Sequence, residues 1–559
     1  MEDTLLRENL KQLPPGLRFG LLHPKRRAHG GGPLKTLRVL GQRRIGGLAL
    51  RLPCASRWYR GLSTLLFISL LCTCGRAQVA DRELRGAWMA TVLNIDYPQT
   101  PTPSAATLQA DFKSQLYRLR QAGMNALFVQ VRPAGDAVYP SKLAPWSEWL
   151  TGAQGKAPVS NFDPLAYMIQ TAHAQGVELH AWVNPYRVAM TLDSLDKAPN
   201  HLLNTHPEWC RAYNGRRYLD PGLPEVRAHL GEVIDELITN YDLDGIHFDD
   251  YFYPYPAAGQ PFPDQETFAR YGRSQQLADW RRDNVNTFVA ETYRRIKAKK
   301  PWVHFGISPF GVWRNQAQDP SRGSATRASV SSYDDLFGDA LHWANNGTVD
   351  YLLPQLYWSM DYAPAGYRVL ADWWAANTPA RVGLYYGHAA YKVGTDTADP
   401  DAWNTLEELP RQVAHNRQLP AVSGSVFFST KSILLNKAGL AQRMADLYTT
   451  PALLPERTAA TPVVARKVKV YKPKRTAKGT LLVWEVNKKL PDEDLPYYYA
   501  IYRSSPSTPS TLLHKTPYGQ GCHRLHYYDK TADEAVKYDY RVVPLDRWHR
   551  VLEDQLAKR

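Results

Sequence analysis

Eight short apolar runs alternate with helical stretches between residues 84 and 432, and this alternation narrows most sharply what the 559-residue chain can fold into. The runs are LRGAWMATV (84–92), NALFVQVRP (125–133), VELHAWVNPYR (177–187), GIHFDDYF (245–252), HFGISPFGVW (304–313), DYLLPQLYW (350–358), RVGLYYGHAAY (381–391) and GSVFFSTKS (424–432). Helical segments such as DFKSQLYRLRQAG and PEVRAHLGEVIDELITNYDL stand between them. Strands joined through helices pair in parallel, so eight such units predict a (β/α)8 TIM-type barrel over 82–450, of the longer kind with loop insertions. An open doubly wound sheet is the alternative, but no GxGxxG follows any run, which leaves a nucleotide without its phosphate-binding turn.

After Ala459 the texture changes. A basic, Pro-containing linker over 451–475 leads into LLVWEV, YYYAIYR, HRLHYYD and KYDYRVVPLD, which alternate with period two between turn residues. Residues 476–550 therefore read as a small all-β, fibronectin type III-like sandwich with its own core. The basic run Arg466–Arg475 reads as a solvated strand or linker, with contact to an anionic polymer as the alternative.

The net charge of +15 raises the question of nucleic acid. Its distribution answers against it: residues 1–60 hold 13 Lys/Arg and three acids, and from Asp81 onward the surplus is only +4. Residues 1–57 form a basic extension without apolar periodicity, and no methionine lies between Met1 and Met89, which suggests that the true start is further along. Segment 58–77 has a basic flank, an apolar run from Leu62 to Leu71 and a small-residue end, the pattern of an export signal. The run is too short for an ordinary membrane span. LLCTC also fits a poor lipobox at Cys72 or Cys74, so the expected location is periplasmic or cell-surface, with a lipid anchor as the variant. Membrane contact is expected only through that signal or anchor. Beyond the signal only Cys210 and Cys522 remain, leaving no disulfide framework or CxxC metal pair.

In a parallel barrel the site lies at the C-terminal ends of the strands, and residues two apart share a side. Val177, Leu179, Ala181 and Val183 then face the helices, while Glu178, His180, Trp182 and Asn184 point inward. The same reading turns His247 and Asp249 inward with Asp250 on the rim, and it places Gln130, Arg132, Gln355 and Tyr357 inside. Glu178 lies six residues before Asn184, about 20 Å lower at strand rise, and reads as buried structure. The histidines at 180, 247, 304 and 388 read as hydrogen-bonded core residues before they read as metal ligands. Glycoside hydrolysis generally needs two carboxyl groups. Asp249 is the first candidate; Asp250, Asp136 and Asp361 are candidates for the second. A structural ion pair between Asp249 and Arg132 is the competing reading.

Several long motifs carry a resemblance: ELRGAWMATV, NALFVQVRPAGDAVYPSKLAPWSEWLTG, GVELHAWVNPYRV, YLDPGLPEVR, DGIHFDDYFYP, FGISPFGVWRN, DYLLPQLYW and YYGHAAYK. Together they look like the bacterial glycosyl-hydrolase-like family ten, also known as domain of unknown function 187, from residue 82 to about 450. The resemblance implies a (β/α)8 barrel, export and glycosidase activity on cell-wall glycan. DGIHFDDYF also resembles the DGxDxDxE signature of family 18 chitinases, but His247 replaces the middle Asp and Tyr251 stands where the acid Glu belongs.

The expected protein is an exported glycosidase acting on a bacterial polysaccharide, peptidoglycan glycan strands first, without cofactor or metal. Asp249 and Asp250 are expected to carry the chemistry, with Asp136 as a further candidate. Arg132, Asn184, Tyr186, Arg187, Gln355, Tyr357, Tyr386 and His388 are expected to bind sugar polar groups, and Tyr253, Trp313 and Trp358 to stack on ring faces. A non-catalytic glycan-binding barrel and a metal-dependent deacetylase are the rival readings.

Overall fold

The computed structural model describes residues 82–559 apart from 193–196, 397, 459–462, 465, 488, 492–494, 520–521, 553–554 and 557–559. The basic extension 1–57 and the signal segment 58–77 fall outside the described residues. No helix among those described is long and apolar enough to cross a membrane.

Eight parallel strands close into a barrel: β1 (Leu84–Met89), β2 (Ala126–Arg132), β3 (Glu178–Val183), β4 (Gly245–Phe248), β5 (His304–Ile307), β6 (Tyr351–Leu352), β7 (Gly383–His388) and β8 (Val422–Phe428). Neighbours in sequence are neighbours in space, and β8 pairs with β1, Val426 opposite Gly86. Helices return the chain outside. The first, Ala105–Gln121, starts where Ser104 Oγ accepts from Thr107 N at 3.3 Å, and the next, Pro164–Ala174, where Asp163 Oδ1 accepts from Ala166 N at 3.0 Å. These side chains satisfy amide donors that a helix start leaves without carbonyl partners.

The alternation in the strands sorts the side chains as expected. Leu127, Val129, Leu179, Ala181, Val183, Ile246 and Phe248 face outward into one apolar layer with Phe112, Leu165, Leu237 and Phe288 of the helices. The interior is filled by rings: Trp88, Phe128, His180, His247 and Tyr351, with the two imidazoles 4.6 and 4.9 Å from Phe128. Rings of this size fit because glycine faces them. A Cβ on Gly245 would lie 2.3 Å from the His180 ring, and one on Gly306 2.1 Å from that of Tyr351. The barrel interior is a packed core.

The C-terminal region is a two-sheet β structure. One sheet holds Val468–Val470, Lys474–Thr476, Gly479–Val486 and Arg524–Asp529, and the other Tyr498–Ser505, Thr508–Lys515, Asp539–Leu545 and Gln555–Leu556. The stretch expected to be a linker, 451–475, thus contains the first strand and most of the second. Its Val468 and Val470 alternate into the core with Leu482, Trp484, Ile501 and Val542. A second cluster is shared. Tyr497, Tyr498, Leu512, Tyr518 and Leu545 pack together with Leu84, Ala126 and Phe128 of the barrel.

That junction lies at the N-terminal ends of the strands and surrounds Glu178. The carboxylate is 1% exposed and accepts from Arg457, from His549 Nε2 at 2.8 Å and from His180 Nε2 at 3.3 Å. Burial pushes this carboxyl up, but the Arg457 guanidinium and His549 outweigh it and hold Glu178 well below the usual carboxylate range. Replacing Arg457 by Met leaves that charge buried without its main partner and is expected to cost about 3–5 kcal/mol of stability. Urea unfolding of the variant measures this, and a midpoint equal to wild type would contradict the role given to the pair.

Candidate active site

At the end of β4 the two aspartates are almost fully covered, Asp249 at 4% and Asp250 at 3% exposure. Asp249 Oδ2 accepts from Trp182 Nε1 at 3.2 Å and from the Asn184 amide, and its Oδ1 from Tyr251 N at 3.3 Å. The orientation of Asn184 is set from behind. Gln130 Oε1 accepts the Thr91 and Val92 amides, both at 2.9 Å, so its Nε2 must face Asn184 Oδ1, at 2.6 Å, which turns the Asn184 NH2 to Asp249. Asp250 Oδ2 accepts from the Tyr255 hydroxyl, and its Oδ1 from Gln355 Nε2 at 3.2 Å. Gln355 is itself anchored on the Ser308 carbonyl at 2.9 Å.

Aromatic rings surround this pair. Tyr255 lies 5.5 Å from Tyr251 and 6.0 Å from Phe310 between ring centroids, and half-buried Trp358 meets Phe310 edge-on at 5.6 Å. The Arg187 guanidinium covers the Tyr251 ring at 4.8 Å. Tyr357 lines the same end. Burial first, then the Tyr391 hydroxyl and the charges of Asp250 and Asp249, push its own hydroxyl well above the usual tyrosine range.

The structure thus brings together Asp249, Asp250, Asn184, Gln355, Tyr357 and Trp358, with Arg187 behind Tyr251. It places the other expected site residues elsewhere. Arg132 is turned out by a bulge: between Gln130 and Arg132 the register slips by one, so Arg132 lies opposite outward-facing Val183, fully buried. It therefore does not pair with Asp249. Asp136 is enclosed in the loop after β2, where Oδ1 accepts from Ala134 N at 3.0 Å and burial pushes the carboxyl up to about 6. Tyr186 packs on Phe288 of the helix layer at 5.4 Å. Tyr386 and His388 share the outward side of β7 with Leu384. The Tyr386 hydroxyl donates to Ala371 O, and His388 bonds Gln412 at 2.8 Å between the Tyr367 and Phe427 rings. Tyr253 is wedged between Phe262 and Phe337, and Trp313 is covered by Trp373 and Tyr333, so neither offers a face to a sugar. Asp361 is an exposed partner of Arg411 at 3.2 Å.

Four participants were not singled out by sequence: Trp182 as a donor to Asp249, Tyr255, Ser308 and Phe310. Parity had turned Trp182 inward, and Ser308 and Phe310 directly follow β5, where a barrel presents its site. Tyr255 carried no signal beyond the aromatic belt after Asp250. No three His, Cys, Asp or Glu side chains among the described residues converge as metal ligands.

A profile described as Glycosyl hydrolase-like 10 matches residues 83–405, more than half of the chain. The chain belongs to glycosyl hydrolase-like family 10. Glycosyl hydrolase YngK of Bacillus subtilis is 44% identical over 488 residues, covering 86% of this chain and 93% of the relative. Glycosyl hydrolase DigH of Escherichia coli K12 is 38% identical over 391 residues, covering 66% of this family 10 chain and 88% of its own. Among solved structures, the glycoside hydrolase domain of PgaB from Bordetella bronchiseptica aligns with a TM-score of 0.42 at 14% identity, over 66% of this chain and 99% of that domain.

Burial makes this family 10 fold sensitive to acid. His201, His229, His388, His514 and His549 are each lowered to about 4, chiefly by burial, from an ordinary value of 6.5. The unfolded chain therefore binds protons that the fold refuses, and the stability they contribute is present above about 6.5 and lost as pH falls toward 4. Buried His247 and His304, held well below the ordinary value, act in the same direction. Asp96 and Asp136, raised to about 6, and the raised Asp220, Asp350 and His173 act in the opposite one, five groups against seven rings. The Tm is expected to fall steadily between pH 7 and pH 4.5. A Tm that holds or rises across that range would contradict the burial of these rings.

Proposed function

We propose that the chain is an exported glycoside hydrolase that cleaves O-glycosidic bonds in a bacterial polysaccharide, with peptidoglycan glycan strands as its substrate. The observation that carries this reading is the pair Asp249 and Asp250, each held by dedicated donors in an aromatic-rimmed barrel mouth. Two carboxyl groups are what glycoside hydrolysis generally requires. The partners divide the roles. Trp182 Nε1 and Asn184 Nδ2 can only donate, so Asp249 Oδ2 serves as an unprotonated acceptor that stabilises positive charge developing on the sugar. A tyrosine hydroxyl can donate or accept, so the Tyr255 contact survives whether or not Asp250 carries a proton, which suits Asp250 to acid–base exchange. Half-buried Trp358 offers a face for a sugar ring, and Gln355 and Tyr357 supply polar contacts.

Export rests on the signal-like segment 58–77, and the choice of a cell-envelope glycan on that segment together with bacterial relatives named as glycosyl hydrolases. A glycan-binding barrel without activity would need the aromatics but not five donors aligned on two carboxylates. Incubating the protein with purified glycan strands, with and without stem peptides, and measuring new reducing ends decides between them. Asp249→Asn and Asp250→Asn should each lower turnover at least ~100-fold while keeping the fold and much of the glycan affinity. Wild-type protein that binds glycan yet releases no reducing ends would replace this reading with the binding one. Near-normal turnover in both variants would remove the aspartates from the chemistry.

A further inference from the structure

We infer that a cleft at the base of the barrel, opposite the mouth, binds a small oxyanion, the phosphate or carboxylate group of a soluble molecule. The cleft has a volume of about 370 Å³ and lies between the end of the helix Ala105–Gln121 and the strand Thr508–Lys515. That is within the ~300–1,000 Å³ range of small-molecule sites. Arg85, Arg120, His514 and Lys515 line it, and no Asp or Glu stands among its described lining residues.

The cations are not equally engaged. Arg85 is already engaged, by Glu83 at 2.8 Å and by the Thr450 carbonyl at 2.7 Å. Among the described residues Arg120 donates to the neutral Gln175 amide oxygen at 2.9 Å, and Lys515 to the Tyr518 hydroxyl at 2.7 Å, with its ammonium 4.9 and 5.8 Å from the Tyr518 and Tyr498 rings. Neither forms an ion pair with a carboxylate among the described residues. Gly176, at φ +65°, makes room for this arrangement: a Cβ there would meet Lys515 Cε at 3.4 Å. Burial pushes the Lys515 ammonium down to about 7; Arg120 and Arg85 add to this, while Glu178 and Asp244 oppose it. Two poorly compensated cations sharing one cleft repel each other, and an oxyanion between them would relieve that repulsion while accepting charge-assisted hydrogen bonds from both. Because Arg120 belongs to the barrel and Lys515 to the sandwich, the ligand would also bridge the two.

Calorimetric titration of the full chain with inorganic phosphate, and separately with acetate, at constant ionic strength set with chloride, tests this. Saturable binding of at least one oxyanion is expected, weakened at least ~10-fold in both Lys515→Met and Arg120→Gln. Phosphate binding alone would identify a phosphate-bearing ligand, and acetate binding alone a carboxylate. Arg120 is exposed, so its variant remains informative if Lys515→Met fails to fold. No saturable binding of either anion, or binding undiminished in Arg120→Gln, would overturn the inference.

Discussion

A column of hydrogen-bonded rings runs down the barrel axis, and both ends of the molecule are built on it. Its direction follows from donor chemistry. The Trp88 indole can only donate, and it does so to His247 Nε2 at 3.1 Å. Burial holds the His247 ring neutral, so its proton sits on Nδ1 and goes to the Tyr351 oxygen at 3.1 Å. Tyr351 can then donate to His180 Nδ1 at 3.2 Å, and His180 Nε2 to the Glu178 carboxylate at 3.3 Å. Every link is buried. A net ~0.5–1.5 kcal/mol per hydrogen bond is modest, but an orphaned donor or acceptor here would cost its full desolvation, so the rings hold one arrangement together.

The two ends of the column differ in what they meet. At the base, Glu178 is closed off by Arg457 and by His549, whose Nδ1 faces the Tyr498 hydroxyl at 2.9 Å. Arg457, in the stretch leading to the sandwich, balances the charge of the barrel interior, and the sandwich adds the His549 hydrogen bond. At the top, Ser308 Oγ meets His247 Nε2 at 3.1 Å, and the Ser308 carbonyl seats Gln355, which reaches Asp250. A parallel barrel presents its site at the C-terminal ends of its strands, and here the opposite end is occupied by the second domain. The candidate site lies at the other end.

Much of this was readable in the chain. Period-two alternation in VELHAWVN and GIHF assigned Asp249, Asn184 and His247 to the inside and Leu179, Ala181, Ile246 and Phe248 to the helix layer, because a strand buried on both faces still sorts its side chains by parity. Parity fails where the backbone breaks step. The bulge before Arg132 sends that side chain outward, and nothing in ALFVQVR announces it. Tyr253 and Trp313 lie beyond the strand ends, where loop paths decide whether an aromatic meets solvent or a helix, and both meet neighbouring rings. The base was read only half-way. Glu178 was recognised as structural, but its partners lie 279 and 371 residues further along, beyond any local pattern.

The central claim is that the barrel mouth cleaves a glycan between Asp249 and Asp250. A crystal structure of the Asp250→Asn variant with an N-acetylhexosamine oligosaccharide tests it most directly. The account predicts a sugar ring against Trp358, a glycosidic oxygen within about 3.2 Å of the residue 250 side chain, and the adjacent anomeric carbon facing Asp249. An oligosaccharide bound only at another surface, or in the mouth with every glycosidic oxygen out of reach of both positions, would contradict it.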